Sequence, residues 1–413
     1  MKIEEIRKMF PALQGMMNGK PLVYLDNSAT SQKPREVIDL IDKMNGGMNA
    51  NVHRSVYKLG DDVTELFEKA RDTVAKFINA PERENIIFTY GTTSSINLVA
   101  SCYCARFLEH GDSILVTGDA HHSNLVPWQL AAERVGASVK ILPLKENGEW
   151  DMAYLGNLLD KSVKIVAATH ISNVLGLVNP VKKLTELAHS LGIPVLVDGA
   201  QGVVHSKVDV RDLDCDFYAF SGHKIYAATG TGVLYGKKKW LEEMPPYMSG
   251  GEMIDKVTYA HTTFAGIPLK FEAGTPNFTG TASFIPALDF AARVSSGDLK
   301  EPVEKETGEI VKYLSTELPK IDGLRLYGLH EKGNTENKVP VFSVSIEGCF
   351  PSDIAQILDK LGIAVRTGHM CAEPLMNRFG VTSMVRASFA CYNTLQEAKF
   401  YLECLNKAVR MLR

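Results

Sequence analysis

VLVDGAQ, residues 195–201, is a short apolar run that passes directly into a carboxylate, two small residues and an amide. Runs of this kind recur between about residue 85 and residue 235, and stretches with helical periodicity separate them. They are apolar throughout, which is typical of strands buried on both faces of a parallel sheet between helices. The sequence therefore predicts an α/β fold, with strands at residues 86–89, 114–117, 139–142, 165–169, 195–198, 217–220 and 233–235.

The pattern changes after about residue 290 to that of an α+β unit. A chain of 413 residues is also longer than one hydrophobic core usually supports. We therefore expect an N-terminal segment, residues 1–20, that packs on a small domain, then a large domain over residues 21–290 and a small α+β domain over residues 291–413. The charged stretch at residues 331–338 contains glycine and asparagine, which predicts an exposed loop.

Composition excludes several classes of protein. The chain is 45% hydrophobic and 23% charged with a net charge of −3, and because its charges are mixed along the length we expect no nucleic-acid partner. It has no apolar stretch of roughly 20 residues for a membrane span and no signal region in residues 1–13, so we expect no membrane association and a cytoplasmic location. Seven cysteines without paired CxxC motifs indicate free thiols rather than disulfides or a zinc site.

Asp198 and Lys224 each follow a predicted strand, at residues 195–197 and 217–220. Because the carboxyl ends of parallel strands meet at one edge of a sheet, both side chains are expected there. Alone, such an aspartate is often a helix N-cap and such a lysine is usually solvated. Together they suit pyridoxal phosphate, since a lysine forms the Schiff base and a carboxylate keeps the pyridinium nitrogen protonated.

A phosphate site is predicted where the strand at residues 86–89 turns through GTTSS, residues 91–95, into a helix. Free backbone N–H groups and the hydroxyls of Thr92 and Thr93 at a helix start bind anions, although ordinary helix caps have the same composition. The segment lacks the Gly-Lys-Ser/Thr ending of a P-loop and the pattern of a dinucleotide fingerprint.

His121 and His122 follow the strand at residues 114–117, and Asn173 follows the strand at residues 165–169. One imidazole is placed to stack on a cofactor ring, and Asn173 to bond a ring substituent or a substrate carboxylate. A metal is disfavoured, because adjacent histidines point in different directions and no third ligand lies at a matching spacing.

Cys371 lies in RTGHMCAEP, residues 366–374, which the composition predicts to be a loop. Arg366 and His369 are close in sequence and favour a thiolate, so Cys371 is predicted to be a reactive thiol. The six other cysteines lie in or beside apolar patterns, and we expect them to be small buried hydrophobic residues.

At these residues the chain resembles the class V, fold type I pyridoxal-phosphate enzymes, and among them the SUF-type cysteine desulfurases and their selenocysteine lyase relatives. The resemblance covers nearly the full length and implies a mainly parallel seven-stranded sheet in the large domain. The motifs that carry it are YLDNSAT at 24–30, NVHRSVY at 51–57, YGTTSSIN at 90–97, HHSNLVPWQ at 121–129, THISNVLG at 169–176, VDGAQ at 197–201, FSGHKIY at 220–226, FEAGTPN at 271–277 and RTGHMCAEP at 366–374.

The resemblance implies a role for each matching residue. Lys224, His121 and Cys371 are implied to be catalytic, with Cys371 as the sulfur acceptor and His121 stacked on the cofactor. No metal is implied. The implied cofactor contacts are Thr92, Thr93, His121, Asn173, Asp198, Gln201, Ser221, His223 and Lys224, with Thr275 from the second subunit of a homodimer. The implied substrate contacts are His53, Asn173, Arg366 and Arg386.

The chain departs from the family pattern at two places. Met370 stands where a second histidine is expected, which removes a proton donor beside Cys371, and Ala227–Ala228 stand where Gly-Pro is expected. The RxGxxCAxP form of the loop favours the SUF type over the NifS/IscS type, whose cysteine loop is longer.

The implied reaction converts L-cysteine to L-alanine and leaves the sulfur as a persulfide on Cys371, for transfer to an acceptor protein of the SUF system in iron–sulfur cluster assembly. The alternatives are a selenocysteine lyase, a kynureninase-like or transaminating enzyme, and a catalytically idle scaffold with the same fold. The loop around Cys371 disfavours the second alternative, and the combination of Lys224, Asp198 and His121 disfavours the third.

Overall fold

The structure is a computed structural model that describes residues 2–329 and 335–413. Its strands are β1 Met16–Met17, β2 Lys20–Pro21, β3 Val23–Tyr24, β4 Ile86–Thr89, β5 Ser113–Thr117, β6 Ser138–Leu142, β7 Val163–Thr169, β8 Val195–Asp198, β9 Phe217–Ser221, β10 Gly232–Gly236, β11 Ile254–Val257, β12 Thr262–Phe264, β13 Leu324–Tyr327, β14 Val341–Ile346, β15 Ile363–Ala364, β16 Arg366–Gly368 and β17 Met384–Ser388.

Its α-helices are α1 Ile3–Lys8, α2 Arg35–Gly47, α3 Lys58–Phe77, α4 Thr92–Phe107, α5 Val126–Val135, α6 Leu155–Leu158, α7 Val181–Ser190, α8 Gly202–His205, α9 Val210–Leu213, α10 Lys238–Glu243, α11 Phe278–Ala282, α12 Phe284–Ser296, α13 Lys300–Glu317, α14 Pro351–Lys360, α15 Glu373–Phe379 and α16 Leu395–Leu412. Within residues 2–329 and 335–413, none of these helices combines the length and apolar character that crossing a membrane requires.

A seven-stranded sheet in the order β4-β10-β9-β8-β7-β5-β6 forms the centre of the molecule. The strands from β9 to β6 pair in parallel, and β10 alone runs antiparallel to both of its neighbours, β9 and β4. The predicted mainly parallel seven-stranded α/β fold is confirmed, and all seven predicted strands are present.

Strand β7 shows why these runs are apolar throughout. Val166 and Ala168 face one hydrophobic cluster, which includes residues of α2, α3, α7 and α12. Ile165 and Ala167 face a second cluster, which includes residues of α4 and α5. Since side chains alternate between the two faces of a strand, a sheet covered by helices on both sides needs apolar residues at every position.

A second, four-stranded antiparallel sheet in the order β13-β14-β17-β16 lies in the C-terminal part of the chain. Residues of α13, α14 and α16 share a separate hydrophobic cluster with this sheet. The division at residue 290 stays a prediction. The connection that matters for function is the pairing of β3 with β15, because it brings the loop after β3 beside the second sheet.

The N-terminal segment packs on residues that follow strands of both sheets. Arg7 forms an ion pair with Glu397 at 2.8 Å, and its guanidinium also donates to the carbonyl of Tyr392. Phe10 is fully buried, and its ring contacts Tyr226, which follows β9, and Tyr392, which follows β17. The segment therefore packs on more of the molecule than the small unit that the sequence predicts.

The exposed loop predicted at residues 331–338 lies partly outside the described residues, which resume at residue 335. Within the described part, the prediction is wrong for Lys338, which is buried. Its ammonium donates to the carbonyl of Leu175, and the backbone N–H of Val339 donates to the carbonyl of Gly176. The segment is held by the loop that follows β7, and these long-range contacts were not visible in the local composition.

Candidate active site

A cavity of about 290 Å³ opens at the carboxyl ends of the central strands. It brings together the predicted site residues Thr92, Thr93, His121, Asn173, Asp198, Gln201, Ser221, His223, Lys224, Arg366, Cys371 and Arg386. The side chains of His53 and Thr275 are not part of its lining. Lining residues without a predicted role are Ser28, Ala29, Ser123, Thr169, Ile171, Ala200 and Met370.

Asp198 and Lys224 reach the cavity from neighbouring strands. Asp198 is the last residue of β8 and is buried, and its Oδ1 accepts a hydrogen bond of 3.0 Å from the backbone N–H of Ala200. Lys224 ends the short 3-10 turn after β9. Burial raises the pKa of the Asp198 carboxyl and lowers the pKa of the Lys224 amine, and the attraction between the two groups opposes both shifts. The lysine is therefore poised as a nucleophilic amine beside a buried acid.

The predicted anion site lies at the start of α4. Gly91 precedes the helix with φ 145°, a conformation that favours glycine, and contributes no capping side chain. The backbone N–H of Thr92 donates to Ser221 Oγ at 2.8 Å, and the hydroxyls of Thr93 and Ser123 lie 2.7 Å apart. Ser221 Oγ thus caps the first N–H of α4 from the end of β9, and the hydroxyls of Thr93 and Ser123 lie beside the same helix start. A helix of 16 residues directs its N-terminal N–H groups and dipole at this point.

His121 is held as a neutral ring. Its Nδ1 accepts a hydrogen bond of 3.0 Å from the backbone N–H of Ser123, which places the ring proton on Nε2. Burial, together with the charge of Lys224, lowers the pKa of His121 to about 3. The imidazole is therefore uncharged at neutral pH and offers a flat face and one N–H donor.

Arg386 and Arg366 form the cationic side of the cavity, and Asp26 holds both. Arg386 donates to Asp26 at 3.1 Å and to the carbonyl of Asn173 at 3.1 Å, while Arg366 donates to the other oxygen of Asp26 at 2.9 Å. Among the described residues, the buried Nε of Arg386 has no hydrogen-bond acceptor. Buried donors are normally paired, so this N–H group is available to an acceptor in the cavity beside Arg386.

The loop that carries Cys371 is tied to the central sheet. The carbonyl of Cys371 accepts from the backbone N–H of His122 at 2.7 Å, and the carbonyl of Met370 accepts from Asn173 Nδ2 at 3.0 Å. His122 Nε2 accepts a third bond of 3.0 Å from the backbone N–H of Glu373. These bonds compensate for the left-handed conformations of Met370 and Cys371, at φ 52° and 54°.

Cys371 is exposed, whereas the other six cysteines are buried. Burial raises the pKa of Cys102, Cys104 and Cys391 to about 12. Thiols of this kind remain protonated and unreactive at neutral pH. The structure thus places an accessible thiol in the cavity, as the sequence predicts.

The two departures from the family pattern have clear local settings. The side chain of Met370 is buried in the main hydrophobic cluster. The N–H groups of Ala227 and Ala228 donate to the carbonyl of Gly222 and to Ser283 Oγ, both at 2.9 Å, so the turn after Lys224 is closed by hydrogen bonds.

Two predicted residues lie apart from the cavity. His53 bonds Glu68 at 3.1 Å through Nε2. Thr275 is exposed on the segment between β12 and α11. Their proposed roles, of which that of Thr275 requires a second subunit, stay predictions.

The sequence missed Asp26 and Ser28. Asp26 pairs with both cavity arginines, and the carbonyl of Ser28 accepts from Gln201 Nε2 at 2.8 Å. Both residues lie in the YLDNSAT motif, which carries the resemblance but was given no role. An acidic residue between a short strand and small polar residues was the one signal available.

A lysine and a carboxylate at neighbouring strand ends, a helix N-terminus and a neutral histidine define the site of a fold type I pyridoxal-phosphate enzyme, and the donor set fits that cofactor. The profile of the family "Aminotransferase class-V" matches residues 23–400, and the chain belongs to this family.

Curated relatives and solved structures agree with this assignment. The chain is 45% identical over 412 residues to a "Probable cysteine desulfurase" of Vibrio cholerae, covering 100% of both chains. It is 43% identical to a "Cysteine desulfurase" of Pectobacterium carotovorum, covering 99% and 98% of the two chains. The crystal structure of the cysteine desulfurase CsdA from Escherichia coli matches with a TM-score of 0.90 and 37% identity, covering 100% of both chains.

A further structural match is the apo cysteine desulfurase from Thermococcus onnurineus NA1, with a TM-score of 0.91, 34% identity and coverage of 99% and 98%. The predicted resemblance, fold type and pyridoxal-phosphate cofactor are confirmed. The SUF-type subgroup stays a prediction.

Proposed function

We propose that this chain is a cysteine desulfurase that converts L-cysteine to L-alanine and retains the sulfur as a persulfide on Cys371. The observation that carries the proposal is the position of Cys371, an exposed thiol in the same cavity as Lys224 and Asp198. The names of the curated relatives support the same activity.

Pyridoxal phosphate, when bound, supplies an electron sink that stabilises negative charge beside the substrate amino group. The chain would hold it by Lys224 at the aldehyde carbon, by Asp198 at the pyridine nitrogen and by His121 against the ring face. The remaining proposed contacts are Thr92, Thr93, Asn173, Gln201, Ser221 and His223, with Thr275 of a second subunit.

Arg386 is the proposed anchor of the substrate carboxylate. Its guanidinium is fixed by Asp26 and by the carbonyl of Asn173, while its Nε has no acceptor among the described residues. A fixed guanidinium that bonds a carboxylate gives geometry as well as affinity. Arg366 lines the same side, and His53 is proposed to complete the substrate site.

Lys224 is the proposed base. Burial lowers the pKa of its amine, so Nζ is more readily neutral and able to take the α-proton of the substrate. The sulfur step then balances without an oxidant: the Cβ–S bond of L-cysteine breaks, the Cys371 sulfur bonds the substrate sulfur, and Cβ gains a proton. The products are L-alanine and the Cys371 persulfide.

The finer parts of the proposal concern partners. A persulfide on an exposed loop is accessible to an acceptor thiol, and we place the chain in the SUF system of iron–sulfur cluster assembly on the RxGxxCAxP form of the loop. The proposed homodimer rests on the role that the resemblance implies for Thr275 of a second subunit. A cytoplasmic location likewise stays a prediction.

The test is an absorption spectrum of the purified holoenzyme before and after L-cysteine, with alanine and sulfide assayed together under reducing conditions. A cofactor band that changes, with both products formed, is expected. A change without sulfide would indicate another amino-acid reaction, and the absence of a cofactor band would favour the idle scaffold.

Cys371→Ser is expected to lower sulfide release by more than about 100-fold while the spectral change on adding L-cysteine persists. Cys349→Ser is the matched control, because Cys349 is buried in the cluster of the second sheet. Undiminished sulfide release by Cys371→Ser would remove the proposed role. L-selenocysteine assayed with the same variant separates the selenocysteine lyase alternative, in which selenide release survives the loss of the thiol.

A further inference from the structure

Three potential metal ligands meet beside the mouth of the cavity. One ring nitrogen of His122, one of His369 and the sulfur of Cys371 all lie within 4.8 Å of one another. The two imidazole rings are 5.5 Å apart between centroids and are inclined by 39°. His122 is half-buried, and the other two residues are exposed. The sequence disfavoured a metal at His121 and His122 because no third ligand lies at a matching spacing, and residues 369–371 reach His122 only through the fold.

The hydrogen bonds around these residues direct lone pairs at the loop. His122 Nε2 accepts from the backbone N–H of Glu373 at 3.0 Å, and His369 Nδ1 accepts from the backbone N–H of Cys371 at 3.1 Å. A nitrogen that accepts a hydrogen bond carries no proton, so each of these two nitrogens has a lone pair that can bind a metal once the backbone N–H group turns away.

We propose that His122, His369 and Cys371 bind a thiophilic divalent cation of the Zn²⁺ type, with water as the fourth ligand. Two imidazoles and a thiolate are a ligand set that zinc prefers. Tetrahedral zinc separates such donor atoms by about 3.3–3.6 Å, so they must approach by about 1 Å, which exposed side chains at a loop permit. The thiol proton leaves to solvent as the zinc–sulfur bond forms, and the two backbone N–H groups turn to water.

The charges nearby allow the ion. Arg366 and Arg386 share the cavity, but Asp26 pairs with both, and the bound thiolate contributes a further negative charge. Glu373, two residues after Cys371, adds a carboxylate to the surroundings of the loop.

The bound ion occupies the Cys371 lone pairs that would attack the substrate sulfur. The site is therefore a reversible inhibitory site, through which free zinc stops sulfur release. Inhibition rests on the proposed function, whereas zinc binding does not, and the two are measured separately.

The first measurement is zinc binding to the holoenzyme in competition with a chromophoric chelator. We expect one Zn²⁺ per chain at this site, and Co²⁺ in its place should give the visible d–d bands of tetrahedral coordination. His122→Asn, His369→Asn and Cys371→Ser should each weaken binding by at least about 10-fold, since even outer-shell changes cost that much. His110→Asn, at an exposed histidine outside the cluster, should leave affinity unchanged.

The second measurement is alkylation of Cys371 by iodoacetamide without substrate, which zinc should slow and a chelator should restore. The site would be overturned if both histidine variants kept the zinc affinity and the melting temperature of the wild type. Zinc would then bind the surface thiol of Cys371 without either histidine. Absence of binding to the wild-type holoenzyme would overturn it as well. If zinc binds and protects Cys371 but L-cysteine yields no sulfide, the site stands and the desulfurase proposal fails.

Discussion

Arg386→Lys tests how the cavity recognises a carboxylate. Arg386 has 2% of its surface exposed and bonds Asp26 and the carbonyl of Asn173 through its two terminal nitrogens, and its Nε has no acceptor among the residues that the structure describes. Lysine keeps the positive charge and is able to keep the pairing with Asp26. It lacks the planar fork that would hold a carboxylate at the same time.

The expected loss is one charge-assisted hydrogen bond to the ligand, about 1.5–3 kcal/mol. Every 1.4 kcal/mol is a factor of ten, so the affinity for L-alanine should fall about 10- to 150-fold. Ethylamine has no carboxylate and should bind the wild type and the variant alike. Affinity is read from the change in the cofactor absorbance of the holoenzyme as each amine is added.

The matched control is Arg378→Lys, because Arg378 donates to the carbonyl of Leu144 and lies outside the cavity lining. Equal weakening of L-alanine and ethylamine in Arg386→Lys would refute the reasoning. It would show that Arg386 maintains the cavity through Asp26 rather than binding the carboxylate.

Three further outcomes are expected. Lys224→Ala should abolish covalent attachment of the cofactor after borohydride reduction, as measured by mass spectrometry, and an attached cofactor would contradict the assignment of Lys224. Because burial lowers the pKa of His121 to about 3, this ring should not titrate between pH 5 and 8, and the pH profiles of kcat/KM for the wild type and for His121→Gln should have the same shape in that range. A rise or fall that is present in the wild type and missing in His121→Gln would show that the ring titrates. Burial lowers the pKa of His170 to about 4, so the stability that this neutral ring confers is full above about pH 6.5 and is lost as the pH falls toward 4, by about 2 kcal/mol at pH 5. The difference in unfolding free energy between the wild type and His170→Asn, from urea titrations, should narrow by that amount from pH 7.5 to pH 5, and an unchanged difference would mean that His170 is not the titrating group.

The central sheet could be predicted because burial on both faces leaves a local mark. The run 195–198 is apolar at every position up to Asp198, and the geometry of parallel strands then places Asp198 and Lys224 at one edge. Twelve of the fourteen predicted site residues line the cavity for this reason, together with the resemblance at the cysteine loop.

The remaining features depend on contacts that sequence spacing does not encode. Asp26 meets Arg386, 360 positions later, only because β3 pairs with β15 beside the second sheet. His122 follows β5 of the central sheet, and its backbone N–H bonds the carbonyl of Cys371 because the loop after β16 reaches across from the second sheet. Lys338 reads as a solvated residue in its local sequence, yet the loop after β7 covers it.

The contacts of the N-terminal segment have a consequence for biosynthesis. Arg7 bonds the carbonyl of Tyr392, 385 positions later, and the ring of Phe10 packs on the ring of Tyr392 at 4.5 Å. The apolar surroundings of Phe10 are therefore complete only after the distant segment around Tyr392 has folded onto them. Contacts of such long sequence separation form late and leave an apolar surface open to aggregation in the meantime. Translation speed and chaperone supply should therefore govern the yield of this protein more than that of a chain whose apolar residues pack on near neighbours in sequence.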